Sequence, residues 1–520
     1  MSDAPFHPAP LRRRHLAAAL AAAMLAATMG ENSRAAADAA WPRLRDESGW
    51  PLFGKLAGLD RRPGPSPSPA AIRTVTNCDD DGPGSLRATI AAAGESDTID
   101  LTRLQCGRIT LETGAIPIEL DNLTLTGIRA DRTVIDGGGR DRVFIHYGLG
   151  TLTLQKLTVS GGYYRATGHD VAFGGCIAAR SYLSLDHAAV SDCKAVGVGS
   201  YGGGTFSYAL LMQNSLISGN LAAGRLDDAT TAGFGGGGYA YFMQIFDSAI
   251  SSNRADYQAD PRFNSYGIGG GLMAIRGGGI YNSTIDSNFS QGRGGGVAAF
   301  SDLRLSNSTI SGNQAQAEIG GGAFLRRPST LQMDNSTIAF NRAGRDAGGV
   351  WLNAPGSYFR SSVVFGNALD AGGDDDLGEN VGNQRNNYST AVEQTIDGNH
   401  NLIGARGPLF TLPTDTLELD PLLEPLNLNG GPTRTHALSK ESPAIDHGSN
   451  PNGLASDQRG ANFPRVYGAA ADIGAFERQG ALPPREQVPV PTLSTWMTAL
   501  LATLLGLGGM RHRRRAAGRR

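Results

Sequence analysis

Asn282-Ser-Thr-Ile-Asp-Ser-Asn288 is one copy of a motif that recurs through the middle of this sequence. The other copies occupy 214–220, 247–253, 307–313, 335–341 and 361–367. Their central aliphatic residues are Ile217, Ile250, Ile285, Ile310, Ile338 and Val364. Subtracting these numbers in order gives steps of 33, 35, 25, 28 and 26 residues. A motif that recurs at this period predicts a solenoid with one supersecondary unit per repeat.

A glycine cluster followed by a short apolar stretch precedes each motif. The clusters begin at Gly174, Gly202, Gly235, Gly269, Gly294, Gly320 and Gly348. Each repeat contains two runs in which apolar and polar residues alternate at period two, as they do in strands. Glycine, asparagine and serine, which are turn residues, separate these runs. Successive coils of short strands then lie parallel, about 4.8 Å apart, and parallel crossovers are right-handed in nearly all proteins. The sequence therefore predicts an all-β chain folded as a right-handed parallel β-helix.

The last residue of the motif is asparagine in every copy. These residues are Asn220, Asn253, Asn288, Asn313, Asn341 and Asn367. Because the position is so regular, we expect their side-chain amides to stack at one turn and to bond along the solenoid axis. The alternative is that the asparagines only form turns.

Composition agrees with a long, narrow solenoid. Glycine accounts for 72 of 520 residues without a collagen triplet, so the excess belongs to turns, and hydrophobic residues make up 40%. The formal net charge of −2 predicts no nucleic-acid partner, and no phosphate-binding glycine loop or other cofactor motif occurs.

The N-terminus is predicted to direct export. Residues 1–37 combine a basic start at Arg12 to Arg14 with a short alanine- and leucine-rich run, as a cleaved signal peptide does. An ordinary secretory signal is favoured over a twin-arginine signal, and both imply the export machinery as a partner. Residues 38–71 are a proline-rich linker. Ser85 to Gly94 is predicted to be a short helix that caps the open end of the solenoid.

Two further segments resemble known families. Thr76-Asn-Cys78, followed by Gly82-Pro-Gly-Ser-Leu-Arg-Ala88 and Asp97-Thr-Ile-Asp100, resembles the start of bacterial exported right-handed β-helix proteins. The quoted C-terminal segments are Leu428-Asn-Gly-Gly-Pro-Thr-Arg-Thr-His-Ala-Leu438, Ser442-Pro-Ala-Ile-Asp-His-Gly448, Asp457-Gln-Arg-Gly460 and Asp472-Ile-Gly-Ala-Phe-Glu477. They resemble the choice-of-anchor Q domain. This divides the solenoid into 72–405 and a C-terminal part, 406–478, and implies a surface or secreted protein with no established enzyme activity.

The polar residues of the C-terminal part allow two interpretations. Asp446, Asp457, Arg459 and Asp472 have the residue types of a catalytic site. A structural cluster that holds the last coil closed is the interpretation we favour, because a motif without an identified nucleophile or pocket says nothing about a reaction. Its apolar pairs around Ile445 and Ile473 are expected to fold back as strands.

The chain ends in a three-part tail after a linker at 479–489. Residues 490–520 contain a short motif, about 18 apolar residues that just suffice to span a membrane, and an arginine-rich end that stays in the cytoplasm. The motif residues are Val490, Pro491, Thr492, Leu493, Ser494 and Trp496. This order resembles the IPTL-CTERM sorting signal, with valine in place of the isoleucine. The resemblance implies an exosortase-type protease as partner; an uncut membrane anchor is the alternative. Either way the solenoid lies outside the inner membrane, at the cell surface or released from it.

Four cysteines in an exported chain predict disulfides. Cys78 and Cys106 are 28 residues apart, about one coil, which brings their Cα atoms within disulfide range if the positions stack. Cys176 and Cys193 are only 17 residues apart, and their pairing is the less constrained prediction. Their spacing does not suit a zinc site.

The β-helix also carries pectin-degrading enzymes, so an enzyme must be considered. The acidic runs at 79–81 and 374–376 are interpreted as solvated loops rather than calcium sites, and no metal is predicted. We favour a non-catalytic adhesin, matrix component or polysaccharide-binding rod. The alternative is a polysaccharide lyase or hydrolase whose site lies on a face of the β-helix.

An aromatic stripe is the candidate binding site. Numbering residues after each glycine cluster places small and aliphatic side chains, together with Tyr239 and Tyr241, at inward positions one and three. The outward positions two and four include Phe206, Tyr208, Phe242, Phe300, Phe324 and Trp351. Exposed, they would form a platform for the rings of a surface polysaccharide. The alternative, which we favour, is that a neighbouring loop covers them or that the alternation is reversed and they lie in the core, because exposed aromatic patches are uncommon.

Overall fold

The computed structural model describes residues 70–168, 170–224, 232–256, 267–378 and 393–480. The chain divides into two units, Met1–Glu477 and Arg478–Arg520. The predicted signal peptide, most of the linker and the sorting tail at 490–520 lie outside the described residues. Among the described residues, no helix has the length and apolar character that a membrane crossing requires.

Sheet 1 is the largest sheet and has two columns of strands. The first column contains Ile116–Ile118, Phe144–His146, Ile177–Ala179, Leu272–Ala274, Val297–Ala299, Ala323–Leu325, Val350–Trp351 and Leu377–Gly378. The second contains Ile72–Thr74, Thr98–Asp100, Leu123–Thr126, Thr151–Gln155, Tyr182–Asp186, Gly278–Tyr281, Leu303–Ser306, Leu331–Asp334, Ser357–Arg360, Gln394–Asn399 and Phe410–Thr411. Two long strands, Thr205–Gln213 and Gly238–Phe246, run through both columns.

Three smaller sheets complete the coils. Sheet 2 contains Arg108–Thr110, Val134–Asp136, Thr158–Ser160, Ala189–Ser191, Leu216–Ser218, Ala249–Ser251, Thr284–Asp286, Thr309–Ser311, Thr337–Ala339, Val363–Phe365 and Leu402–Ile403. Sheet 3 contains Tyr163–Arg165, Lys194–Gly197, Leu221–Gly224, Arg254–Asp256, Phe289–Ser290, Gln314–Ala315, Arg342–Ala343 and Ala368–Leu369. Sheet 4 contains Ala172–Phe173, Gly199–Tyr201 and Ala232–Phe234. Each strand pairs in parallel with the equivalent strand one coil away, so the predicted β-helix is confirmed.

The recurring motif gives each of its residues a separate role. Asn282 has a φ of 49°, a left-handed conformation that asparagine tolerates better than most residues, and it turns the chain into sheet 2. Ile285 is 0% exposed and packs in the continuous core between the sheets. Asn288 ends the motif with its side chain buried. The motif therefore encodes one turn, one core position and one buried polar position per coil.

The predicted asparagine ladder is confirmed. Each side-chain amide donates to the side-chain carbonyl of the next asparagine at 2.8–3.0 Å. The same carbonyl accepts the backbone N–H of the preceding rung, for example from Asn288 to Asn313 at 3.0 Å. A second ladder, which the sequence analysis missed, runs through the serine of each motif. In it the backbone N–H of Ser283 donates to Ser308 Oγ at 3.1 Å, and Ser308 donates to Ser336 in the same way.

The asparagine ladder ends on a carboxylate. Asn367 donates its backbone N–H and its amide to Asp376 Oδ1 at 2.8 and 2.7 Å, and Ala405 donates its N–H to Oδ2 at 2.8 Å. Burial raises the pKa of Asp376 to about 7. The prediction of a solvated acidic loop at 374–376 is therefore wrong for Asp376, because this carboxylate occupies the position of a seventh rung.

The helix α1, Leu86–Ala91, covers one end of the core as predicted. Ser85 accepts the N–H of Ala88 at 3.2 Å and caps the helix, while Leu86 and Ile90 are buried in the core. Both predicted disulfides, Cys78–Cys106 and Cys176–Cys193, are present, with Cα atoms 6.4 and 5.4 Å apart.

The C-terminal part, 406–477, begins with the last strand of sheet 1, and its residues from 433 onward pack along the outer side of sheet 2. Thr309 donates to the Gln458 side chain at 2.6 Å, and Asn335 donates to Ser449 O at 2.8 Å. The expectation that Ile445 and Ile473 lie in strands is wrong, since neither belongs to a strand. Side-chain hydrogen bonds and buried ion pairs, rather than a strand ladder, hold this segment on the solenoid.

Candidate functional site

The two columns of sheet 1 meet at a bend, and the bend turns neighbouring residues outward together. In the strand Gly238–Phe246, Ala240 and Met243 belong to the core. Tyr241 and Phe242 lie between them, and both are half-buried and face away from the core. A regular strand would direct one of these two side chains inward. The bend therefore places adjacent aromatic rings on the outer face.

Four rings from three successive coils meet at this bend, and we call Tyr182, Tyr208, Tyr241 and Phe242 the aromatic cluster. Tyr208 and Tyr241 are stacked, with centroids 5.6 Å apart and planes 24° apart. Tyr208 meets Phe242 and Tyr182 edge-on, at 5.6 and 6.3 Å. All four side chains are half-buried. The packed rings hold one another in place and leave part of their surface open to solvent.

The electrostatics around the cluster are set by arginine. Burial raises the pKa of the Tyr241 hydroxyl, and the charge of the exposed Arg276 acts in the opposite direction. The hydroxyl therefore stays protonated at neutral pH, where it can donate and accept hydrogen bonds. Arg276 is in the next coil, where its backbone N–H donates to Tyr241 O at 2.7 Å.

Three of the six residues of the predicted aromatic stripe are buried and offer no surface to a ligand. Phe206, Phe324 and Trp351 are 3%, 2% and 4% exposed, so the prediction that they could bind a ligand is wrong. All three belong to a second hydrophobic cluster, whose other members include residues that immediately precede the glycine clusters. Its ring contacts include Phe173 against Phe206 at 4.7 Å. The favoured alternative, coverage by neighbouring chain, is thus the correct one for these three residues.

The predicted numbering fails in one coil. Gly235 opens a run of four glycines, and the fourth, Gly238, pairs with Thr205. Tyr239 consequently pairs with Phe206 at position two, and Tyr241 takes position four beside Tyr208. The expectation that Tyr239 and Tyr241 point into the core is wrong. This shift of one residue brings Tyr241 into the aromatic cluster.

Three members of the predicted stripe remain half-buried. Tyr208 and Phe242 belong to the aromatic cluster. Phe300 lies two coils beyond Tyr241 in the same row, with the exposed Arg326 guanidinium 4.9 Å from its ring centroid. The sequence analysis missed Tyr182 and Tyr241; Tyr182 is at position six after its glycine cluster, whereas its register partner Ala209 is at position five, so a fixed spacing does not find it.

The C-terminal polar cluster is built as a structural element. Asp457 holds Arg459 through two nitrogens at 2.9 and 2.7 Å, and the guanidinium lies 3.8 Å from the centroids of Phe463 and Phe476. Asp472 Oδ1 accepts the Asp446 N–H at 2.9 Å. Asp457 and Asp472 are buried, so a polymer cannot reach them. Within the described ranges, no group of three or more histidine, cysteine and acidic side chains could hold a metal ion.

Comparison with known proteins adds little. No family model matches the chain, and no curated protein matches it. Among solved structures, the crystal structure of pectate lyase Pel9A is similar, with a TM-score of 0.39 and 14% sequence identity over 79% of this chain and 97% of that one. This likeness is too distant to carry an argument about function. The resemblances to the choice-of-anchor Q domain and to the IPTL-CTERM signal stay predictions.

Proposed function

We propose that this chain is an exported, surface-anchored β-helix protein that binds a polysaccharide through the aromatic cluster without cleaving it. The observation that carries the proposal is the half-buried stack of Tyr208 and Tyr241 beside Phe242 on the face of sheet 1. Sugar rings have apolar C–H faces that pack on aromatic rings, and their hydroxyls bond to tyrosine O–H groups. The export machinery, an exosortase-type protease and an inner-membrane stage before processing are part of this proposal.

The solenoid suits a polymer better than a small ligand. Tyr182, Ala209 and Phe242 are in register across three coils, so the cluster extends along the axis instead of closing around one point. The strands that carry it pair on both sides, which fixes the ring positions before any ligand binds. A pre-ordered, elongated surface can contact several successive sugar units.

The test compares polysaccharide binding of wild type with that of Tyr208→Ala. A sugar ring that covers roughly 60 Å² of this tyrosine contributes about 1.5 kcal/mol at 25 cal/mol per Å². The variant should therefore bind about tenfold more weakly. Phe289→Ala is the matched control, since Phe289 is a half-buried aromatic residue on sheet 3. Thermal unfolding of both variants shows whether the fold is kept.

A polysaccharide array identifies the ligand, and calorimetry then measures affinities. Equal affinities of Tyr208→Ala and Phe289→Ala would overturn the assignment of the cluster. Release of reducing ends or of unsaturated products from the bound polymer would replace the binding function with the hydrolase or lyase function.

A further inference from the structure

We infer that the polysaccharide is acidic and that Arg276 and Arg326 pair with its carboxylates. This inference rests on the proposed function, because it names the ligand class of the same surface. Both arginines are exposed and lie in the segments that join the two columns of sheet 1. Arg326 is in the row of residues that contains Tyr208 and Tyr241, and Arg276 is one residue beyond that row. Guanidinium groups stay charged at all relevant pH values and bond carboxylates through two parallel N–H donors.

Within the part of the chain that the structure describes, these two arginines differ from their neighbours in having no acidic partner. Arg304 and Arg360, on the second column of the same sheet, share the buried carboxylate of Asp334 at 3.4 and 2.6 Å. Across the described residues, neither Arg276 nor Arg326 has a carboxylate within 4.0 Å. Their charge is therefore available to a ligand.

The described segments that join the two columns of sheet 1 beside the cluster carry little opposing charge. Between the two columns, the residues that join them are 180–181 in one coil, 275–277 in another and 300–302 in a third. Among these described residues the one acidic side chain is Asp302, which accepts two hydrogen bonds from Thr330 at 2.8 and 2.9 Å. Along these described joining segments, an acidic polymer would meet only Asp302, which is already hydrogen-bonded, and would find the exposed Arg276 on its path.

The spacing of the arginines suits a polymer that lies along the solenoid axis. Arg326 is two coils after Arg276. At 4.8 Å per coil this step is roughly 10 Å. Arg276 is itself one coil after Tyr241, at the end of the aromatic cluster. Sugar rings on the tyrosines would thus have charged substituents within reach of Arg276, and a polymer that continues along the axis would reach Arg326.

The experiment measures binding of a hexameric oligogalacturonate and of its fully methyl-esterified, neutral form by calorimetry with the full chain. Wild type should bind the acidic form several-fold more tightly, and high salt should weaken that form alone. Each exposed arginine–carboxylate pair should contribute about threefold to fivefold in affinity. The double variant Arg276→Gln, Arg326→Gln should therefore bind the acidic form about tenfold more weakly than wild type. Its affinity for the ester should not change.

The control is Arg103→Gln, Arg165→Gln, which removes the same charge from two exposed arginines away from the cluster. Equal loss in the two double variants would overturn the inference, because only net charge would then matter. Equal wild-type affinity for acid and ester would also overturn it, while the proposed function would stand. Binding of neither form, nor of any polysaccharide on the array, would overturn both.

Discussion

Replacing Asn313 by alanine should break the asparagine ladder at its centre. The Asn313 amide donates to Ile285 O and to Asn341 Oδ1, each at 2.9 Å. Its carbonyl accepts the backbone N–H and the side-chain amide of Asn288 at 3.0 and 2.9 Å. The residue is 0% exposed, so water cannot replace these bonds without opening the coil.

The cost follows from the groups that are left behind. The Asn288 backbone N–H loses its acceptor, and a buried unsatisfied donor costs about 1–3 kcal/mol. The Asn341 and Ile285 oxygens lose a donor, although each keeps other partners near the strand, and the amide leaves a small cavity. We therefore expect a loss of about 2–4 kcal/mol in the free energy of unfolding.

Urea unfolding monitored by circular dichroism measures the loss in the free energy of unfolding. Amide hydrogen exchange of the peptide that contains Asn288 measures the local loss of protection. Gln316→Ala is the control, because it removes an exposed amide from the same coil and should stay within about 0.5 kcal/mol of wild type. Unchanged protection at Asn288, with an unfolding midpoint equal to that of the control, would refute the account of the ladder.

Two further predictions concern buried charges. The folded-state pKa of Asp376, about 7, is above its usual value of 3.8, so the folded chain holds this proton more tightly. Its stabilising contribution is full below about pH 4 and is lost as the pH rises through 7. The urea midpoint of wild type should accordingly fall relative to that of Asp376→Asn from pH 4 to pH 8, and a constant difference would contradict the raised pKa. Arg465 is completely buried and donates to Glu477 at 2.9 Å. Its replacement by methionine should lower the free energy of unfolding by about 3–5 kcal/mol and expose 406–477 to limited proteolysis. The control, Lys440→Met, changes an exposed residue of the same segment and should not increase cleavage. Equal cleavage rates of the two variants would contradict the role of Arg465 in holding this segment.

The structure of each coil could be predicted because it depends on a few positions within one short, repeated motif. A buried turn position that must both donate and accept along the axis selects asparagine, as at Asn313, and the neighbouring core position selects isoleucine, as at Ile310. The serine ladder could be predicted in the same way from the second residue of each motif. Asp376 escaped prediction because it replaces an asparagine outside any copy of the motif.

The surface was harder to predict than the core. Alternation separates inward from outward positions, but it does not say whether a second layer covers the outward ones, as Phe173 covers Phe206. The glycine run ending at Gly238 also shifted the numbering by one residue, which hid Tyr241. Finally, the bend of sheet 1 directs both Tyr241 and Phe242 outward, and no period-two pattern predicts that.

The most direct test of polysaccharide binding is a crystal structure of the protein soaked with an oligosaccharide that it binds in solution. We predict sugar rings packed on Tyr208 and Tyr241, and carboxylate groups, where the sugar has them, beside Arg276. A ligand bound on sheet 3 or on the 406–477 segment, with the aromatic cluster empty, would contradict the proposed function.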